Sequence, residues 1–300
     1  MSARPLRLGS RRSPMALAQS GQVATMITQR TGRAVKLVGV TTLGDVSQAQ
    51  LTQIGGTGVF ASALREALLG GEVDLAVHSL KDLPAAQPAD IALAAVPVRD
   101  DPRDALVARD GAKLADLPAG ARVGTGSPRR AAQLLAMRSD LRCVPVRGNA
   151  GTRIGKVAAG ALDAVVLACA GLARIGESGA VTQVFELDEM LPAPGQGALA
   201  VECRAADAEL AESLGSVCDQ ASLAAVTAER SLLEALQADC DSPIGAYADG
   251  ARQLRMRAVA LSPDGRRMLR ANGAAPAADA RALGRGLAAG LLEAGALDLG

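Results

Sequence analysis

Tryptophan is absent from these 300 residues, tyrosine occurs once, phenylalanine twice and histidine once. So few rings leave almost nothing for bases to stack on, and a net charge of only +1 argues against a protein that coats nucleic acid. A histidine-dependent nucleophilic triad has only His78 to be built from. No apolar run approaches the length of a membrane span, and residues 1–5 lack the core of a secretion signal, so the expected setting is the cytoplasm with no membrane. The five cysteines, Cys143, Cys169, Cys203, Cys218 and Cys240, form no C-x-x-C and no close pair. Neither a disulfide framework nor a metal site is expected from them. Four sit beside apolar residues and read as small buried side chains, whereas Cys240 lies in the polar stretch 238–243 after a helix, open to chemistry.

What is abundant is apolar: 49% of the chain, enough for two or three domains with a substantial core. Strand-like runs alternate with helical ones. Residues 6–8, 36–40, 73–78 and 91–96 read as strands, and 14–29 and 60–69 as helices. The same grammar returns with strands at 122–124, 141–146 and 162–168 and helices at 128–137 and 150–159. Residues 97–103 and 192–197, rich in proline and glycine or charge, look like crossings, and 198–203 reads as a strand returning to the first lobe. From residue 244 the pattern changes to strands followed by a closing helix at 277–293. The expected fold is therefore α/β. Residues 1–98 and 198–216 form a first lobe, 103–193 a second lobe with a ligand cleft between the two, and 219–300 a small α+β domain carrying the Cys240 loop.

Polar chemistry gathers where strands should end. His78, Ser79, Lys81 and Asp82 fall within five residues at a strand's carboxyl end, the edge at which open α/β sheets bind ligands. Alone, these residues fit a solvated turn equally well. With His78 read as scaffold, Asp82 is the best acid-base candidate. Arg11 and Arg12 precede Ser13-Pro14, and Arg129 and Arg130 follow Ser127-Pro128, so both pairs lie at helix starts, where unpaired N–H groups already favour anions. Arg147 and Arg153 flank a third such turn, and Arg174 lies just beyond another strand. Guanidinium forks at repeated strand-to-helix corners call for a ligand with several carboxylates. The glycine-rich residues 55–58 lack both the P-loop ending and the dinucleotide spacing.

Several segments together resemble the porphobilinogen deaminase family, also called hydroxymethylbilane synthases. They are Val77-His78-Ser79-Leu80-Lys81-Asp82-Leu83-Pro84, Gly124-Thr125-Gly126-Ser127-Pro128-Arg129-Arg130, Arg147-Gly148-Asn149-Ala150-Gly151-Thr152-Arg153, Pro194-Gly195-Gln196-Gly197-Ala198, and Cys240 followed by Pro243-Ile244-Gly245. The match is collinear over the chain. It implies two doubly wound lobes of the periplasmic-binding-protein type. It also implies head-to-tail condensation of four porphobilinogen molecules, with release of ammonia, into linear hydroxymethylbilane for tetrapyrrole (heme) biosynthesis. Cys240 matches the cysteine that carries a dipyrromethane cofactor through a thioether, and no metal is required. Asp82 matches the family's essential carboxylate, which would stabilise the positive charge that develops on a pyrrole nitrogen as ammonia leaves. By the same matching, Lys81, Ser79, Thr125, Gly126, Ser127, Arg129, Arg130 and Arg153 would hold the cofactor. Arg11, Ser13, Arg147, Arg174 and Phe60 would hold substrate, while Arg12 has no such role. The resemblance further implies a monomer that passes its product to uroporphyrinogen-III synthase. The chain departs from the family at Leu43, Gln53 and Thr57, where cations are common, and at Asp239, where glycine is common and a second flanking carboxylate disfavours the thiolate of Cys240. A two-lobed protein that binds a small polyanion without chemistry is the alternative reading. It has no use for Asp82 or Cys240.

Overall fold

The computed structural model describes residues 4–41, 58–239 and 241–299, with 58–60 described by their backbone alone. In chain order the elements are β1 (Leu6–Ser10), α1 (Pro14–Thr31), β2 (Val35–Gly39), α2 (Gly58–Leu69), β3 (Leu75–Ser79), β4 (Ile91–Ala95), β5 (Asp104–Ala108), β6 (Arg122–Gly124), α3 (Pro128–Met137), β7 (Arg142–Val144), α4 (Ala150–Ala158), β8 (Ala164–Ala168), α5 (Cys169–Arg174), β9 (Gln183–Val184), β10 (Leu199–Arg204), α6 (Ala208–Gly215), α7 (Gln220–Ala235), β11 (Ile244–Asp249), β12 (Gln253–Leu261), β13 (Met268–Pro276) and α8 (Ala280–Glu293). They divide into two compact units, Met1–Arg99 with Ala198–Leu223, and Asp100–Gly197 with Ala224–Gly300.

The first unit is built on a sheet of order β2-β1-β3-β10-β4. β1 runs parallel to β2 and β3, and β10 is antiparallel to both of its neighbours. Alternation along β1 sorts the helices. Leu6 and Leu8 face Val23 and Ile27 of α1 and Leu210 and Leu214 of α6. On the other face Gly9 is closely packed, since a Cβ there would lie 3.1 Å from Val73 and 3.2 Å from Leu64 of α2. Helices therefore cover both faces, the doubly wound arrangement. α1 starts where the sequence places it, with Ser13 accepting from Ala16 N–H at 3.3 Å and Pro14 in the first turn, and it ends on Gly32 at φ 68.

The second unit repeats the plan with a sheet of order β7-β6-β8-β5-β9, in which β6 is parallel to β7 and β8, and β5 is antiparallel to β8 and β9. β5 is the first strand after the chain enters this unit, and β10 the first after it returns. Each takes the same slot in its sheet. The unit also contains the antiparallel sheet β11-β12-β13. Ala228 and Leu232 of α7, Leu236 just beyond it, and Leu283, Leu287 and Leu291 of α8 pack on it with Ala246, Leu254 and Met256.

Three expectations need correction. β3 continues one residue past His78, because Ser79 still pairs with Leu199 of β10. β5 and β9 were not foreseen: β5 is wholly buried, so it shows no alternation, and β9 has two residues. Of the four cysteines expected to be buried, only Cys203 is; Cys143, Cys169 and Cys218 are half-buried. Burial still pushes the Cys169 and Cys203 thiols up to about 11, which leaves them inert.

Candidate active site

In the first unit the carboxyl end of β3 runs into a single 3-10 turn, Leu80–Asp82. Leu80 N–H donates to Ala198 O at 3.0 Å and Leu83 N–H to Leu80 O at 3.1 Å, so backbone bonds alone set the turn. Leu80 and Leu83 point into the core while Lys81 and Asp82 are half-buried at its edge. Ser79 accepts from the buried Gln19 amide of α1 at 2.9 Å. The buried Ser10 hydroxyl lies 2.9 Å from Arg11 O, which pins the corner between β1 and α1 where Arg11 and Ser13 stand half-buried. Arg12 is exposed and lies over Gly39.

Behind this corner is a buried carboxylate that sequence reasoning missed. Glu202, on β10, accepts from Arg65 Nη2 at 2.6 Å and Nε at 3.0 Å and from Gln87 Nε2 at 3.2 Å, and His78 Nε2 lies 3.3 Å from its Oε2. Burial pushes the Glu202 carboxyl up, but the bonds from Arg65 and the nearness of His78 outweigh it and hold the group at about 2. Asp74, just before β3, is held at about 2 in the same way by Arg7 and Arg4.

The second unit gathers its arginines around Asp104, the first residue of β5 and fully buried. Arg130 reaches it through Nη2 at 2.7 Å and Nε at 3.0 Å, Arg129 Nη1 lies 2.8 Å away, and Gln196 donates at 2.9 Å. Burial opposes ionisation of Asp104, yet the two guanidinium charges hold its carboxyl well below the usual carboxylate range. Arg129 also donates to Leu191 O at 2.6 Å and Arg130 to Val166 O at 3.1 Å. Both guanidinium groups therefore turn inward, while their backbone opens α3 behind the Ser127 cap. Thr125 is buried, and its hydroxyl oxygen accepts from Ser127 N–H at 3.1 Å; Gly126 passes so close to Val146 O that a Cβ there would lie 3.2 Å from it.

At the next corner Gly148 adopts φ 101, and Asn149 caps α4 through Thr152 N–H at 2.8 Å. Arg153 Nε donates to Gly148 O at 2.8 Å, and Arg147 is exposed. Burial, then the like charges of Arg130 and Arg147, push the Arg153 guanidinium pKa down. Three arginines crowd together, and a bound carboxylate would relieve that repulsion. Arg174, at the end of α5, pairs with Asp100 at 2.6 Å and donates to Gly197 O at 2.9 Å, so it ties the two ends of this unit's chain passage. Asp239 Oδ1 accepts from Asp241 N–H at 3.0 Å and closes the loop. Cys240, Leu43, Gln53 and Thr57, and the Phe60 side chain, lie outside the described residues. Among the described residues no group of three or more His, Cys, Asp or Glu could hold a metal, and no helix is long and apolar enough to cross a membrane.

The second unit carries arginine-rich corners at its sheet end and the first a carboxylate on a tight turn, the features of the α/β class whose chemistry suits a polyanionic small molecule. Residues 6–212 match the family described as "Porphobilinogen deaminase, dipyromethane cofactor binding domain", and residues 223–293 match "Porphobilinogen deaminase, C-terminal domain". The chain is 58% identical to the porphobilinogen deaminase of Thermobifida fusca over 99% of this chain and 96% of the relative. It is 54% identical to porphobilinogen deaminase 1 of Streptomyces coelicolor over 100% and 98%. Among solved structures, a periplasmic substrate-binding protein of an ABC transporter from Coxiella burnetii aligns at a TM-score of 0.45 with 16% identity, covering 71% of this chain and 91% of that one.

The chain belongs to the porphobilinogen deaminase family. It is a transferase of tetrapyrrole biosynthesis with a dipyrromethane cofactor, and it condenses four porphobilinogen molecules into hydroxymethylbilane with release of ammonia.

Proposed function

We propose that Asp82 is the carboxylate that stabilises charge and moves protons during each condensation, and that Cys240 carries the dipyrromethane. The Asp82 reading rests on its availability. Among the described residues its carboxylate has no hydrogen bond or ion pair, whereas Asp74 and Glu202 in the same unit are held by arginines. A half-buried carboxylate on a turn fixed by backbone bonds can face a developing pyrrole cation without reorganising. Ser79 and Lys81 flank it, and Arg11 and Ser13 sit at the neighbouring helix start as groups for substrate carboxylates.

The cofactor's acetate and propionate groups fit the crowded arginines of the second unit. Arg153 and Arg147 would hold them, with Thr125, Gly126 and Ser127 presenting the start of α3 and with Arg130, whose guanidinium is turned in on Asp104, contributing its charge from behind. Arg129, buried and paired with Asp104, would add positive charge to the same cluster from beneath the helix start. Arg174 would assist a substrate carboxylate from its bond to Asp100. When bound, the dipyrromethane supplies the pyrrole end to which substrate is added. Phe60 belongs to the same reading through the family match alone. So do the monomeric state, the cytoplasmic setting and passage of product to uroporphyrinogen-III synthase.

Intact-protein mass spectrometry tests the assignment of the attachment residue. The chain purified from cells that make porphobilinogen should carry one dipyrromethane adduct, and Cys240→Ala should carry none. An adduct retained by Cys240→Ala would overturn it.

A further inference from the structure

Glu202 stands at an unusual place relative to Asp82. The segment that presents Asp82 leaves β3 at His78 and Ser79, turns through Leu80–Asp82 and runs on past Gln87 to β4. Glu202 meets this segment on both sides of the turn: His78 Nε2 lies 3.3 Å from its Oε2, and Gln87 Nε2 donates to its Oε1 at 3.2 Å. The same Gln87 amide nitrogen also donates to Ile91 O at 3.1 Å, which ties the far side of the segment to β4. Meanwhile Arg65 anchors both carboxylate oxygens, at 2.6 and 3.0 Å, and so fixes the direction in which Glu202 points. Leu80 N–H bonds to Ala198 O, one residue before the strand that carries Glu202. A single strand thus holds the approach to the turn, the turn itself and the exit from it.

We propose that Glu202 is a positioning residue for the reaction, acting through Asp82 by clamping the two ends of the segment that carries it. The proposal rests on the reading of Asp82 given above. Its contribution is to placement alone: the Glu202 carboxylate is fully buried and occupied by Arg65, Gln87 and His78. A carboxylate that must sit within hydrogen-bond reach of a reacting pyrrole loses turnover steeply when its support slackens, whereas substrate binding by arginines elsewhere does not.

Gln87 offers the cleanest perturbation, because it is exposed and its removal leaves the Arg65–Glu202 pair intact. With holoenzyme carrying its adduct, Gln87→Ala should lower kcat about tenfold with KM for porphobilinogen changed less than about twofold. Glu202→Gln should lower kcat further. The decisive comparison repeats Gln87→Ala in an Asp82→Glu background, where the carboxylate is already displaced by one methylene. There the further loss should shrink to below about twofold, because the clamp no longer holds a well-placed group. An equal loss in both backgrounds would make the contact merely structural, and an unchanged kcat in Gln87→Ala would remove the clamp; either result overturns the proposal. Asp82→Ala separates the two readings. Near-complete loss of turnover supports the Asp82 assignment whatever Gln87 does, and ordinary turnover there overturns that assignment together with the clamp.

Discussion

At the scale of single residues, two buried carboxylates organise the molecule, and each stands on the first strand after the chain crosses between units. Glu202 has a measurable consequence beyond catalysis. Its folded pKa, about 2, lies below the ordinary 4.5, so its pairing stabilises the fold above the unfolded value and is lost as pH falls towards 2. The size is ~3 kcal/mol near neutrality, of which ~2 kcal/mol is gone by about pH 3. The drop in urea midpoint between pH 7 and about pH 3 should therefore be smaller in Glu202→Gln than in the parent; an equal drop would show that the ion pair contributes nothing. Neither Glu202 nor Asp104 was legible in the sequence. Each carboxylate lies in or beside an apolar run, where it looks like an interruption, and its partners come from segments distant in the chain. Arg129 and Arg130 were legible as a charged helix start, but not their inward turn, because that depends on a strand whose existence was itself hidden.

At the scale of elements, local chemistry was readable wherever it acts over a few residues. Ser13, Ser127 and Asn149 cap the helices they precede, and Pro14 and Pro128 open them. What the sequence could not show is contact between helices. α8 crosses α7 at Gly284, where a Cβ would lie 2.1 Å from Ala228 O and 3.0 Å from Leu232 N, so backbone meets backbone. Two glycines of this one helix therefore respond with opposite signs to an added methyl. Gly284→Ala should destabilise by about 3 kcal/mol, because the helices must part. Gly286→Ala, with nothing within 4 Å of the added carbon, should stabilise by up to about 1 kcal/mol through helix propensity. Chemical denaturation of the pair checks both; a neutral Gly284→Ala would mean that α8 can shift without penalty.

At the scale of the whole molecule, the alternation of strands and helices was enough to read two similar α/β lobes, since period and punctuation survive in composition. The matching strand orders were not, because β5 and β10 enter their sheets from outside the local sequence. The large exposed apolar side chains among the described residues, Leu17, Leu37, Leu69, Val98 and Leu297, sit on separate segments. No one described element carries two of them, and the proposed monomer predicts a single species of one chain's mass in sedimentation velocity at micromolar concentration. A concentration-dependent dimer would refute this.

The place of β10 also governs how the first unit comes into being. Its sheet has a gap between β3 and β4 until a strand arrives from far along the chain, and Glu202 reaches Arg65 across 137 residues of sequence. A ribosome therefore finishes the second unit's sheet before the first can close, and closure must overcome the entropy of that long loop. Until then the turn that carries Asp82 follows a strand with one open edge, so a nascent or truncated chain has this segment but not its support.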